Sequence, residues 1–124
     1  MATPNLTSPG LSIIPNVSTI AITTTSKIGI ITNSSSSNKV YKINVVRASN
    51  IGSAQVDVSL GMTGTSAGVG LTFYVLRNCV VPPQTSLLII SKDSYQYLKE
   101  GDTLHIEASA ADRLHVIASW EEIS

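Results

Sequence analysis

The sequence has a single cysteine, few aromatic residues and little charge. Cys79 stands alone among 124 residues, and Asp, Glu, Lys and Arg together make up 13% of the chain. A lone thiol cannot form an internal disulfide, which excludes a disulfide-stapled secreted domain. Because Cys79 is centred in an apolar run with no neighbouring base, we interpret it as a buried structural thiol rather than a nucleophile.

The formal net charge is zero and no basic stripe is present. Nucleic-acid binding depends on such a stripe, so nucleic acid is excluded as a partner. The chain also lacks a run of about 18 apolar residues and a basic region ahead of an apolar N-terminal stretch. We therefore predict no membrane partner and no signal peptide, and we expect the protein to fold in a cytoplasm.

Charge is unevenly distributed along the chain. Residues 1–91 contain five Lys or Arg and one Asp, whereas residues 92–124 contain three Lys or Arg and seven Asp or Glu. The two parts should attract each other, either within one fold or between neighbouring copies.

Residues 1–26 carry no charged side chain and contain Pro4, Pro9 and Pro15. Such a segment buries too little apolar surface to order itself, so we predict an extended N-terminal arm that lies along another surface. The alternative is a disordered leader with one early strand near residues 17–25. The arm's apolar residues are the predicted interaction residues: Leu11, Ile13, Ile14, Val17, Ile20 and Ile22.

Residues 27–124 read as one domain of short strands. The runs KIGIIT, KVYKINVVRA, AQVDVSLGM and TSLLII are separated by turn clusters, and LTFYVLRNCVV, apolar on both faces, predicts a central strand. No window shows a helical apolar period. The fold class is therefore all-β: a single antiparallel β-sandwich, jelly-roll or immunoglobulin-like, with an extended N-terminal arm.

The last two apolar alternations predict a terminal hairpin. A three-residue loop, Ala110–Ala111–Asp112, places Ile106 opposite Val116 and directs both apolar sets to one core. Asp112 suits the left-handed position that such a loop requires.

In that register His105, Glu107 and His115 share the outer face. Two imidazoles and a carboxylate are a possible zinc or iron ligand set, but no fourth ligand is evident, and we favour an exposed ion pair with no metal. No catalytic constellation and no cofactor motif is present. Tyr95 and Tyr97, in a predicted loop, are the candidate aromatic platform for a glycan.

The segment VPPQTSLLIISKDSYQYLKEGDTLHIEASAADRLHVIASWEEIS resembles the C-terminal half of small tailed-bacteriophage virion proteins. The shared features are Val81–Pro82, a Leu/Ile strand, Tyr97–Leu98, the turn Glu100–Gly101–Asp102 and the final Ser119–Ile123. KVYKINVVRASNIGSAQVDVSL is similar to their first half.

This resemblance implies a non-enzymatic virion structural protein, assembled in the host cytoplasm. We expect a capsid decoration or cement protein that binds the major capsid protein or other virion proteins as a homo-oligomer, with a trimer favoured. A neck, tail or baseplate adaptor is the first alternative. A glycan-binding host-recognition module is the second.

Overall fold

A computed structural model describes the protein from Ser12 to Ser124, apart from the side chain of Val69. Nine strands and one short 3₁₀ helix, Lys92–Ser94, make up the described chain. The first five strands are β1 (Ile13–Ile22), β2 (Ile28–Thr32), β3 (Val40–Asn50), β4 (Val56–Gly64) and β5 (Gly68–Val81). The others are β6 (Ser86–Ile90), β7 (Gln96–Leu98), β8 (Asp102–Ala108) and β9 (Leu114–Ile123). No helix between Ser12 and Ser124 has the length and apolar character to cross a membrane.

The strands form two antiparallel sheets. Sheet A has the order β1-β9-β3-β6, with β7 also paired to β3, and sheet B has the order β2-β8-β4-β5. The chain repeatedly crosses from one sheet to the other, and this strand order is that of a jelly roll. The predicted all-β sandwich is confirmed, and of the two topologies considered the jelly roll is the one observed.

The core lies between the inner faces of the two sheets. Alternate residues of β8 and β9, such as Ile106 and Val116, are fully buried because each strand turns one face inward. The largest buried side chains come from both sheets: Ile22, Ile43, Leu60, Ile90, Leu98, Leu104, Ile106 and Leu114.

The predicted terminal hairpin is wrong, although its apolar faces were assigned correctly. β8 pairs with β2 and β4, whereas β9 pairs with β1 and β3, so Ile106 and Val116 lie in different sheets. The turn between them joins the two sheets. Asp112 has the expected left-handed backbone, with φ 61°. The alternation of apolar and polar residues determines which face of a strand points inward. Two strands of one hairpin and two strands in different sheets show the same alternation.

The expected position of the LTFYVLRNCVV strand is also wrong. It forms β5, which lies at the edge of sheet B, and its large side chains remain exposed. The exposed members are Leu71, Phe73, Tyr74, Val75 and Val80. The glycine-rich stretch before it forms the β4–β5 hairpin, with Gly64 and Gly68 at positive φ.

Residues 13–22 of the expected arm belong to the sandwich. β1 pairs with β9 over its whole length, and Ile22 is 1% exposed in the core. The surface on which this part of the arm lies is therefore its own domain. The first eleven residues, Leu11 included, lie outside the described part.

Candidate functional site: the open edge of β1

The possible metal patch does not form. His105 lies in β8 of sheet B, where its neighbours across the sheet are Gly29 and Gly61. His115 lies in β9 of sheet A, opposite Ala21. The predicted grouping with Glu107 is therefore wrong, because it depended on the terminal hairpin. Among residues 12–124 no group of three potential metal ligands comes together.

His105 instead packs into the outer surface of sheet B. Its Nε2 lies 2.5 Å from the Thr63 hydroxyl oxygen. Burial lowers the pKa of His105, and the nearby Lys27 ammonium lowers it further, while a hydrogen bond from the imidazole to the Ile28 backbone opposes both. The imidazole is therefore neutral at pH 7.

The six predicted interaction residues divide into three groups. Ile13, Ile14 and Val17 are 53%, 49% and 67% exposed. Ile20 is half-buried and packs against the core, and Ile22 is fully buried. Leu11 lies beyond the described residues. Only the first half of β1 therefore presents large apolar side chains to solvent.

The backbone of β1 presents a regular open edge. Ser12 and Ser124 exchange both backbone hydrogen bonds at 2.9 Å, and the β1–β9 register then continues to Ile22 without a shift. Residues that bond a partner alternate with residues that do not in such a ladder. The N–H and C=O groups of the other set point away from β9, into solvent. That set comprises Ile13, Pro15, Val17, Thr19 and Ala21.

Pro15 fits this geometry. It has no N–H to donate, and its position belongs to the set that faces the open edge. The β1–β9 ladder therefore loses no hydrogen bond at Pro15, and the N–H groups of the four other residues have no strand partner among residues 12–124.

β1 has few of the features that normally prevent an exposed edge strand from pairing with another chain. Charged side chains and bulges normally prevent one edge strand from pairing with another chain. Residues 13–22 contain no charged residue, and their ladder contains no bulge. Pro15 is the one interruption. From Asn16 to Ile22 the edge is uncharged and regular.

The start of β1 is anchored by a polar cluster that the sequence did not reveal. Glu122 of β9 accepts hydrogen bonds from Asn16 Nδ2 at 2.6 Å and from Lys39 Nζ at 3.2 Å. The Asn16 bond is the main cause of a lowered pKa for Glu122; Lys39 and Tyr41 lower it further, and burial opposes them. The cluster ties β1 to β9 and to the start of β3.

The far side of the sandwich carries the second set of exposed apolar residues. β5 ends sheet B there, and β6, the far edge of sheet A, lies beside it. Phe73 is 59% exposed and Leu71 55%. Three register shifts interrupt the β4–β5 ladder, so the β5 edge is less regular than that of β1.

The expected tyrosine platform is partly covered. The Tyr95 and Tyr97 rings meet edge to face, with centroids 5.3 Å apart, and the Lys42 ammonium lies 4.5 Å from the Tyr95 centroid. Tyr95 is 45% exposed. Cys79 is half-buried on β5, opposite the fully buried Val58.

Comparison with known proteins gives a likeness in fold. No family model and no curated protein matches the chain. A solved structure of a Bacillus endospore appendage, described as one of a novel family of disulfide-linked pili, is similar with a TM-score of 0.53. The two sequences are 14% identical, and the alignment covers 100% of this chain and 98% of that one. The likeness shows a shared fold across the full length.

Proposed function

We propose that this protein is a non-enzymatic structural subunit that assembles with copies of itself through the open edge of β1. The observation that carries the proposal is the regular, uncharged stretch Asn16–Ile22, whose outward backbone groups at Val17, Thr19 and Ala21 have no partner in the described chain. A strand from a second molecule would satisfy these groups and extend sheet A.

The second copy would contribute its far side, where β5 and β6 lie. β1 and this far side are different surfaces at opposite edges of the sandwich. A contact between different surfaces is heterologous, so each copy retains one free surface for the next. Such contacts build a ring when the rotation closes, and the trimer expected from the sequence is one such ring. They build an open filament when it does not.

The likeness to the endospore appendage supports this class of function. That protein belongs to a family of pili, and this chain shares its fold over the full length of both. Those pili are disulfide-linked. The 124 residues here contain only Cys79, and one thiol per copy joins two copies at most. Cohesion of a longer assembly would therefore come from strand pairing and apolar contact.

The test removes one outward-facing N–H group and leaves the hydrogen bonds between β1 and β9 in place. Thr19→Pro should keep the fold, as Pro15 does, but remove a donor from the open edge. Thr19→Val is the matched control, because it retains the N–H. Light scattering and electron microscopy should find assemblies of the parent and of Thr19→Val, and monomers of Thr19→Pro.

Three results would contradict the proposal. These are a parent that stays monomeric at high concentration, a closed dimer that does not grow, and a folded Thr19→Pro variant that still assembles. If Thr19→Pro does not fold, Val17→Pro provides the same test, because Val17 belongs to the same outward set.

A bacteriophage virion role is the second candidate. It is favoured by the resemblance of the segment from Val81 to Ser124 to virion proteins, and it would place a shell protein, rather than another copy, against β1. Purified protein would then remain monomeric or trimeric alone and bind capsids, and Thr19→Pro would abolish that binding whereas Thr19→Val would not. Growth of filaments from the purified chain would exclude it.

A further inference from the structure

The outer face of sheet B contains a polar groove that the assembly proposal does not use. The outward residues of β4 include Asp57, Ser59 and Gly61, and Glu107 of β8 lies opposite Ser59. Ser59 is only 6% exposed although it faces away from the core. Taller side chains on both sides must therefore enclose it, which makes this part of the face a depression.

The wall on the β5 side is built from an aromatic ring and a guanidinium group. The Arg77 guanidinium carbon lies 4.8 Å from the centroid of the Tyr74 ring, a cation–π contact that fixes both side chains. Asn78 is held beside them, since its backbone N–H donates to Ser59 Oγ at 2.9 Å. Thr25 lines the opposite side. The enclosed space is about 340 Å³, within the range of small-molecule sites.

The charged side chains of the groove form no ion pairs with one another. Within residues 12–124, the side chains of Asp57, Glu107 and Arg77 take part in no ion pair, and the one ion pair found joins Lys39 to Glu122. The carboxylates offer acceptor oxygens and the guanidinium offers a fork of donors. Two carboxylates and a guanidinium therefore line one depression without an ion-pair partner in the described part of the chain, so they can hydrogen-bond a polar ligand.

A separate depression lies nearer the β4–β5 hairpin. It measures about 580 Å³ and is lined by Lys27, Leu71, three threonines and four glycines. The Lys27 ammonium reaches across to the Thr72 hydroxyl, 3.1 Å away. β4 runs along both spaces from Asp57 to Gly64, a length of about 23 Å at about 3.3 Å per residue. The Lys27–Thr72 bond lies between the two spaces, so a ligand in the first depression is short or enters it by one end.

We propose that the first depression of this groove binds the end unit of a neutral oligosaccharide. Two carboxylates and one guanidinium give the first depression a net negative charge, which disfavours phosphate and other anions. Sugar hydroxyls both donate and accept hydrogen bonds, so they suit a mixed set of carboxylate, guanidinium, amide and hydroxyl groups. Tyr74 is 40% exposed, and the part of its ring that Arg77 leaves uncovered supplies apolar contact for a sugar.

The experiment titrates the ¹⁵N-labelled full chain with cello-, malto-, manno- and chitotetraose, and separately with CaCl₂, while amide shifts are followed. At least one tetrasaccharide should shift the amides of residues 57–64 and 105–109. Tyr74→Ala and Glu107→Gln should each weaken that binding at least tenfold. Tyr95→Ala is the matched control: it removes an exposed tyrosine elsewhere and should leave binding unchanged. Thermal unfolding of each variant establishes that it is folded.

Several outcomes would overturn the proposal. They are no shift with any of the four sugars, sugar binding that survives Tyr74→Ala and Glu107→Gln in folded variants, and binding that is lost with Tyr95→Ala instead. A groove that responds to calcium alone would also overturn it. None of these results bears on the Thr19→Pro test of the assembly proposal, which concerns β1.

Discussion

Asp102 and Ser66 are joined by two hydrogen bonds at one end of the sandwich. The Ser66 N–H donates to Asp102 Oδ1 at 2.8 Å, and the Ser66 hydroxyl donates to Oδ2 at 2.6 Å. Oδ2 also accepts the Lys99 N–H at 3.0 Å, and the Asp102 side chain is fully buried. One carboxylate therefore holds the β4–β5 turn against the β7–β8 turn.

Removal of this carboxylate should destabilise the fold. Asp102→Ala removes a fully buried acceptor from three part-buried hydrogen bonds, which we expect to cost about 3 kcal/mol. For a domain of this size the melting temperature should fall by about 10 °C. Asp93→Ala, in the exposed 3₁₀ helix, is the control and should change it little. Equal melting temperatures for the two variants would contradict this role of Asp102.

Two glycines of the same hairpin should differ sharply in their tolerance of alanine. A Cβ on Gly64, at φ +116°, would lie 2.1 Å from the Gly101 carbonyl oxygen. Gly70 also has positive φ, +72°, but its Cβ would meet nothing within 4 Å. Gly64→Ala should therefore cost more than about 3 kcal/mol, and Gly70→Ala about 1 kcal/mol for backbone strain alone. Chemical denaturation of both variants measures the difference, and a milder effect at Gly64 would refute the close approach.

Acid should weaken the attachment of β1 through Glu122. The Asn16 hydrogen bond, supported by Lys39 and Tyr41, lowers the pKa of Glu122 from its ordinary 4.5, so the unfolded chain binds this proton more readily than the folded one. The resulting stability is present above pH 4.5 and is lost as the pH falls through the lowered pKa.

Thermal unfolding between pH 7 and pH 3 tests this. Glu122→Gln should be less stable than the parent at pH 7, and the gap should narrow below pH 4.5 because the parent loses its own advantage there. Asp112→Asn, at an exposed turn, controls for general charge effects. A gap that stays constant down to pH 3 would contradict the assignment.

The sequence predicted strands and faces better than it predicted neighbours. KVYKINVVRA became β3 and TSLLII became β6, and Ile106 and Val116 both point inward as expected. Their sheets could not be predicted, because alternation encodes a face and not a pairing partner. The metal patch failed for that reason alone.

The edge strands were the least predictable part of the candidate site. LTFYVLRNCVV is apolar on both faces, which predicts burial, but the pattern does not say whether the covering surface lies in the same molecule. In β1 the lack of charge was visible in the sequence. The outward set of N–H groups could be identified only from the structure, which shows the pairing of Ser12 with Ser124 and the unshifted register. The oligosaccharide groove could not be predicted without the sheet order, which brings Tyr74 and Arg77 beside Glu107.

Amide hydrogen exchange of β1, measured residue by residue in dissociated and assembled protein, tests the central claim most directly. In the dissociated subunit, Val17, Thr19 and Ala21 should exchange fast, while Ser18 and Ile20, bonded to β9, should be protected. Assembly should slow exchange at Val17, Thr19 and Ala21, because a second copy then accepts their hydrogen bonds. Fast exchange at these three residues within an assembled particle would contradict the account.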